Sequence, residues 1–494
     1  MGIFVRQSTK ASLASYIGAF IGYLNVVFIT PYCLPPEIVG LNRVLVDMGT
    51  YLAFIAQLGV TSGIIKYYPR YKDKEHQLLF FSLIIPLAGF AVFSLVFLIL
   101  RGTMINYFAK NSATINSYIN LVLPLTFFII YLSVLESYSS CLLRIVVPKM
   151  IRDVVLKVLN IIIIILFYLK IFTLNEFLWS IVAIYAVAAG LNLFYLSTIT
   201  KLKIKPDFKD FDKVVFRSFM VYILLILLMG IGSNVVNKID VFMISGYINL
   251  TNTGIYSIAF YIIVIIEIPS RSFQQLAGPY IARSFHEDNI PAIREIYSKS
   301  SLIQLLAGGI IFLLVWVNID SIFSIMPNGA IYRAGKYVIL FLGLSKLIDL
   351  STGVNALILS NSKYYAYLLI FILFLTFITI YTNILLIPSY GITGAAVASV
   401  IAIASYNLIL LIFLWIKMKM QPFSGITLVV AGIFGLLYAI NFIIPHFSNP
   451  WVDMIIRSGI LFVIFIIPVY VLKISEEVNE IIYYSLRLIG FGKK

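Results

Sequence analysis

The sequence is poor in cysteine, histidine and charged side chains. Two cysteines and three histidines in 494 residues exclude a disulfide framework and provide no spacing typical of a metal site. Charged residues make up only 12% of the chain, about half of what a soluble domain carries. Hydrophobic residues make up 61%, more than a soluble fold of this size can bury. The composition therefore predicts an integral membrane protein and excludes a nucleic-acid binder, in spite of a net charge of +15.

Long apolar runs fill most of the chain. A membrane-spanning helix needs about 20 apolar residues, and at that length the sequence predicts about fourteen helices. They lie near 12–32, 38–65, 78–100, 118–143, 151–171, 177–200, 216–246, 253–282, 300–318, 336–360, 364–387, 392–416, 424–445 and 451–472. The runs are continuously apolar rather than alternating, which favours helices over a β-barrel. We therefore predict an all-α integral membrane protein with short connections and no extramembrane domain.

The basic residues are distributed unevenly between alternate connections. With the N-terminus placed in the cytoplasm, Lys and Arg on the cytoplasmic side outnumber those outside by about five to one, which follows the positive-inside rule. This asymmetry predicts a multi-pass protein with an even number of helices and both termini in the cytoplasm. It also explains the basic balance, because cytoplasmic Lys and Arg contact anionic headgroups.

A weak repeat divides the sequence. Lys201–Lys213 interrupts the apolar pattern after six predicted helices and is typical of a linker. Before this linker, Gly40 follows Tyr32 by eight residues. After the linker, Gly254 follows Tyr247 by seven residues. Six helices in each half make the two repeats parallel, as in transporters that hold a cavity between their halves. The predicted parts are a six-helix half at 1–205, a second six-helix half at 206–418, and two extra helices with a cytoplasmic tail at 419–494.

Several short motifs, taken in order, resemble those of one transporter family. They are Leu34–Gly40, Gln57–Gly59, Lys238–Asp240, Gly254–Ala259 and Ile387–Ala396. Together they resemble the polysaccharide transporter branch of the multidrug/oligosaccharidyl-lipid/polysaccharide exporter superfamily, the flippases of O-antigen and lipid-linked oligosaccharides. The prolines and glycines among them also have a structural interpretation, because they stop and start helices at short connections.

The resemblance implies a function. It implies a non-enzymatic flippase of the bacterial inner membrane that needs no cofactor. Such a protein moves a polyprenyl-pyrophosphate-linked oligosaccharide, an O-antigen of lipopolysaccharide or a capsule or exopolysaccharide repeat unit, from the inner to the outer leaflet by alternating access. The partners that it implies are the lipid-linked substrate, membrane lipids, a coupling H⁺ or Na⁺ ion and the glycan polymerisation machinery.

Charged residues inside the predicted helices form the candidate site. A charge at bilayer depth costs at least about 2.5–3.5 kcal/mol, so such groups usually face a cavity. Cations from both halves are predicted to bind an anionic headgroup, here the pyrophosphate: Arg43, Lys238, Arg271 and Lys346. Nearby acids are predicted to hold these cations or to bind the coupling ion: Asp47, Asp240, Glu267 and Asp349.

Spacing sorts these charges. Pairs three or four residues apart can form along one helix face: Arg43/Asp47, Glu267/Arg271, Lys346/Asp349 and Asp453/Arg457. Lys238 and Asp240 are two residues apart and need other partners, Glu136 is alone, and Asp453 with Arg457 is interpreted as structural. Pro269 predicts a bend beside Arg271. That each pair merely neutralises itself stays open as an alternative.

Two other functions stay open. A multidrug or cation antiporter of the same fold often carries an acid in its first helix, and this sequence has none there. A membrane O-antigen polymerase or ligase is expected to carry its chemistry on a large outer loop, and every predicted outer connection here is short.

Overall fold

The computed structural model describes residues 2–200 and 213–480. These residues form helices and connections, with no β-strand among them. The α-helices up to Tyr247 are α1 (Gly2–Leu24), α2 (Thr30–Cys33), α3 (Pro36–Ala56), α4 (Val60–Tyr67), α5 (Glu75–Ala109), α6 (Thr114–Tyr118), α7 (Val122–Cys141), α8 (Val146–Met150), α9 (Leu156–Tyr168), α10 (Leu174–Ile199) and α11 (Lys213–Tyr247).

The remaining α-helices follow in the second half of the sequence. They are α12 (Leu250–Ile263), α13 (Ile268–His286), α14 (Ile290–Val317), α15 (Ile319–Ile325), α16 (Gly329–Tyr332), α17 (Lys336–Ser351), α18 (Asn355–Asn361), α19 (Ala366–Met418), α20 (Gly425–Asn441) and α21 (Pro450–Val471). Short π-helices occur at Asn25–Ile29 and Ile151–Val155, and 3₁₀ turns at Tyr68–Lys74, Ile119–Leu121, Val264–Glu267 and Arg333–Gly335.

Membrane-spanning helices dominate the described part of the chain. Nine helices there are long and apolar enough to cross a membrane, and a bent pair, Gly329–Ser351 with Asn355–Asn361, makes ten if it counts as one span. This confirms the prediction of a multi-pass, all-α membrane protein. Each predicted apolar stretch overlaps a helix, whereas the predicted number of about fourteen spans stays a prediction.

The longest helix is broken by a glycine. α19 has 53 residues and would be about 80 Å long if straight, far more than the roughly 30 Å of a bilayer core. Gly391 interrupts it with φ 60° and ψ −141°, a backbone conformation that glycine adopts without strain. Pro388 precedes the break. The motif Ile387–Ala396 therefore divides α19 into two segments of membrane-spanning length, as its Pro and Gly predict.

Packing divides the chain into two compact units, Met1–Ser257 and Ile258–Lys494. The predicted three-part division depends on the polar stretch 201–213, of which 201–212 lies outside the described residues. That division therefore stays a prediction.

In the second unit, α20 and α21 pack on α14. Leu306, Val430 and Leu461 belong to the apolar cluster that joins these three helices. Arg457 is fully buried and lies 3.3 Å from Asp453. It also donates hydrogen bonds to backbone carbonyls at the end of α20 and in the connection that follows. The pair Asp453/Arg457 thus fixes the α20–α21 connection, in agreement with its structural interpretation.

Two glycines bring α3 and the start of α12 into backbone contact within the first unit. A Cβ atom on Gly40 would lie 2.0 Å from the Leu250 carbonyl oxygen, and one on Gly254 would lie 2.0 Å from the Pro36 carbonyl oxygen. These are the two glycines that the sequence repeat aligns. The small residue at each position therefore has a packing reason, as in other close helix crossings in membranes.

This contact predicts opposite results for the same substitution at two sites. Gly40→Ala should destabilise the protein by about 1–3 kcal/mol, because its methyl group overlaps a carbonyl oxygen of α12. Gly190→Ala should be neutral or stabilising, because nothing lies within 4 Å of a Cβ there and alanine favours helix. The thermal unfolding midpoint of each purified variant measures this difference, and equal midpoints would refute the close contact.

Candidate functional site

A buried acid in the first unit contacts two cations. Asp47 on α3 is 3% exposed and lies 2.5 Å from Nε of Arg43, one turn earlier on the same helix. Its other carboxylate oxygen accepts a hydrogen bond from Nζ of Lys238 on α11. The predicted Arg43/Asp47 pair is therefore present, and Lys238 has the separate partner that its spacing requires. We call Arg43, Asp47 and Lys238 the first triad.

The second unit contains a similar arrangement. Arg271 Nη2 on α13 donates to Glu267 Oε2 at 2.8 Å, which is the predicted pair at a spacing of four. Nζ of Lys346 on α17 contacts the other oxygen of Glu267. A 3₁₀ turn, Val264–Glu267, ends just before Pro269 in the first turn of α13, so the chain changes helix type beside the acid. We call Glu267, Arg271 and Lys346 the second triad.

Each triad carries one more positive than negative charge. If each pair within one helix only neutralised itself, its two charges would balance. That interpretation does not account for the third residue of each triad, a Lys on another helix. In each triad, one acid therefore contacts two cations that lie on two different helices.

Exposure distinguishes the two triads. Arg43 and Lys238 are 14% and 18% exposed at their side chains, so the first triad is mostly enclosed by its own unit. Arg271 is 64% exposed, and only its Nη2 contacts Glu267. The rest of its guanidinium can form the two-pronged hydrogen bonds that phosphate oxygens accept. Arg271 is therefore the cation of the two triads best placed to contact a ligand.

The predicted Lys346/Asp349 pair is wrong. Lys346 contacts Glu267 instead, because a carboxylate from the turn before α13 reaches it. Asp349 accepts a hydrogen bond at 3.0 Å from the Asn407 side chain on α19, and no Lys or Arg of the described residues lies within 4.0 Å of it. Asn407 also accepts from Thr352 and Asn355. Asp349, itself exposed, thus contacts a cluster of buried amide and hydroxyl groups.

The structure also gives partners to two other acids. Asp240 is buried and accepts a hydrogen bond at 2.6 Å from the Tyr256 hydroxyl. Glu136, alone in the sequence pattern, lies 2.5 Å from Nε of Arg152. Arg152 lies in the π-helix Ile151–Val155. Only tertiary structure reveals these pairs, since no local spacing links their members.

Among residues 2–200 and 213–480, no group of three or more His, Cys, Asp or Glu side chains could hold a metal ion. The two cysteines, Cys33 and Cys141, are unpaired.

Comparison with protein families identifies one match. Residues 4–285 match the family described as "Polysaccharide biosynthesis protein". This range contains α1 to α12 and most of α13, and therefore the first triad and the acid and arginine of the second. Comparison with curated proteins finds no match.

Solved structures share the fold. A lipid II flippase, MurJ, in an inward closed conformation has a TM-score of 0.72 and 14% identity, and covers 94% of this chain and 99% of its own. An inward-facing multidrug resistance MATE family transporter of the MOP superfamily has a TM-score of 0.59 and 17% identity, with coverages of 83% and 94%. A MOP superfamily transporter from Pyrococcus furiosus, described as having a binding pocket of reverse polarity, has a TM-score of 0.52 and 15% identity, with coverages of 84% and 93%. The chain thus has the fold of this transporter superfamily.

Proposed function

Because the chain belongs to the polysaccharide biosynthesis protein family, we propose that it is a flippase for a polyprenyl-pyrophosphate-linked oligosaccharide. The observation that carries this proposal is the second triad. Its excess positive charge and the exposed guanidinium of Arg271 suit a pyrophosphate. The likeness to a lipid II flippase supports a lipid-linked substrate, and the family description supports a glycan.

The triad residues have distinct proposed roles. Arg271 binds phosphate oxygens through its planar fork, and Lys346 adds a point charge nearby. Glu267 holds both cations in place before the substrate arrives, so less ordering is needed on binding. In the first triad Asp47 holds Arg43 and Lys238 in the same way.

The binding of a coupling ion is assigned to an acid that belongs to neither triad. Glu267 and Asp47 already contact two cations each, and Asp240 accepts from a tyrosine. Asp349 has no Lys or Arg within 4.0 Å among the described residues, and it accepts a hydrogen bond from Asn407. We assign the binding of a coupling H⁺ or Na⁺ to Asp349.

The proposed direction is from the inner to the outer leaflet of a bacterial inner membrane, by alternating access. The uneven distribution of Lys and Arg favours a cytoplasmic location for both termini, and the lipid-linked repeat unit would enter from that side. The glycan, an O-antigen or a capsule or exopolysaccharide unit, then meets its polymerisation machinery outside. A cationic drug is a poor substrate for sites with excess positive charge, which disfavours the multidrug alternative.

Deletion of the gene in its host tests this function. We expect surface glycan to disappear and lipid-linked repeat units to accumulate in the inner leaflet, while synthesis of the repeat unit continues. Complementation with the wild-type gene should restore the surface glycan. Unchanged surface glycan together with increased sensitivity to cationic drugs would instead support the multidrug alternative.

A further inference from the structure

α13 carries a polar face next to the second triad. Glu267 just before it, Arg271, Gln274, Gly278 and Ala282 follow one another at spacings of three or four residues, so they lie along one side of the helix. Gln275 is adjacent to this line, one turn after Arg271. Two glutamines and an arginine on one face are unusual in a helix of a membrane-spanning segment, Leu250–His286.

This face is exposed within its own unit. Arg271, Gln274 and Gln275 are exposed, whereas Ala277 and Ile281, which follow Gln274 by three and seven residues and border this face, are buried. Gln275 lies eight residues before Arg283, about 12 Å along the helix axis, so it is well inside the bilayer if Arg283 marks the interface. Amide groups exposed to lipid at that depth would have no hydrogen-bond partner. The polar face therefore meets water or a ligand rather than lipid.

The glutamines are available for a ligand. Gln274 Nε2 donates to Ser270 Oγ at 3.1 Å, and Ser270 Oγ donates to Gln304 Oε1 of α14 at 2.9 Å. This relay orients Gln274 and leaves its carbonyl oxygen without a donor among the described residues. Gln275 has no hydrogen-bond partner there. No heavy atom lies within 4 Å of a Cβ placed on Gly278, so there is space beside the two amides.

We propose that Gln274, Gln275 and the space beside Gly278 form a saccharide subsite, which binds hydroxyl groups of the sugars next to the pyrophosphate. The inference rests on the proposed function and specifies where the glycan lies relative to Arg271. Gln side chains donate and accept hydrogen bonds, as sugar hydroxyls do. Gly278 lies about 10 Å along the axis from Arg271, so the glycan extends from the phosphate site toward the C-terminal end of α13.

Binding to the purified full-length protein tests this subsite. The two probes are undecaprenyl pyrophosphate without sugar and the same lipid carrying the repeat unit of the host strain. For the double variant Gln274→Leu/Gln275→Leu we expect Kd for the glycan-bearing lipid to rise about tenfold, as for a loss of one or two hydrogen bonds. Kd for the sugar-free lipid should not change. Gly278→Phe should show the same selectivity by filling the space beside the amides.

Leu276→Ala provides the matched control. Leu276 is 79% exposed on another side of the same helix turn, and its truncation should leave both Kd values unchanged. Equal weakening of both probes by the glutamine variant, no weakening of either, or equal wild-type affinity for the two lipids would overturn the subsite. Failure of the wild-type protein to bind either lipid would instead refute the proposed function itself.

Discussion

Arg271→Ala is expected to reduce glycan export about 100-fold while the protein still inserts and folds. Arg271 is the exposed cation of the second triad, and its loss removes about two charge-assisted hydrogen bonds to phosphate, each worth about 1.5–3 kcal/mol. Arg271→Lys keeps the charge and loses the fork, so we expect export to fall only about tenfold. Surface glycan at matched membrane abundance measures both effects. Arg283→Ala is the control, because Arg283 lies in the last turn of the same helix and forms an exposed pair with Glu287, just after the helix end.

A variant that lacks the three charges of the second triad distinguishes pyrophosphate binding from mutual neutralisation of these charges. Removal of Glu267 and Arg271 alone would leave Lys346 without its partner, so the informative variant is Glu267→Gln/Arg271→Gln/Lys346→Gln. If the triad binds pyrophosphate, this variant should be as inactive as Arg271→Ala although it is abundant. Wild-type export by the triple variant would show that the three charges have only a structural role.

Asp47→Asn is expected to cause the largest loss of folded protein. Asp47 is buried between Arg43 and Lys238, and its neutralisation leaves two enclosed cations without their acid. Breaking a buried ion pair costs about 3–5 kcal/mol, a large part of the total stability of about 5–15 kcal/mol. We therefore expect membrane abundance and the thermal unfolding midpoint to fall sharply.

Two further variants test this explanation for Asp47. Arg43→Gln/Asp47→Asn/Lys238→Gln removes all three charges and should recover most of the lost abundance. Asp320→Asn breaks an exposed contact with Lys336, since Asp320 is 61% exposed, and should change stability by less than about 1 kcal/mol. Equal losses for Asp47→Asn and Asp320→Asn would contradict the buried triad.

Local sequence patterns predicted the features that depend on local physics. Continuous apolar runs predicted helices, Gly391 with Pro388 predicted the break in α19, and the spacing of four predicted the contacts Arg43/Asp47 and Glu267/Arg271. Each follows from helix geometry or from backbone freedom over a few residues. The repeat also marked Gly40 and Gly254, although their contact is visible only in the structure.

Contacts between distant helices could not be predicted in the same way. Lys346 was assigned to Asp349 on α17 by spacing alone, but a carboxylate on another helix, Glu267, binds it. Asp349 instead has Asn407 as its partner, an uncharged residue that a survey of intramembrane charges ignores. The contact of one acid with two cations in each triad thus arises from tertiary packing.

Transbilayer movement of a lipid-linked glycan in proteoliposomes tests the central claim most directly. Vesicles would contain the purified protein and undecaprenyl pyrophosphate carrying the host repeat unit, with and without an imposed pH or Na⁺ gradient. A glycosidase added outside cleaves only glycans in the outer leaflet. We predict that wild-type protein makes inner-leaflet glycan accessible to the enzyme and that Arg271→Ala does not. The proposed flippase would be contradicted if, under either gradient, the glycosidase never cleaved more glycan in vesicles with wild-type protein than in protein-free vesicles.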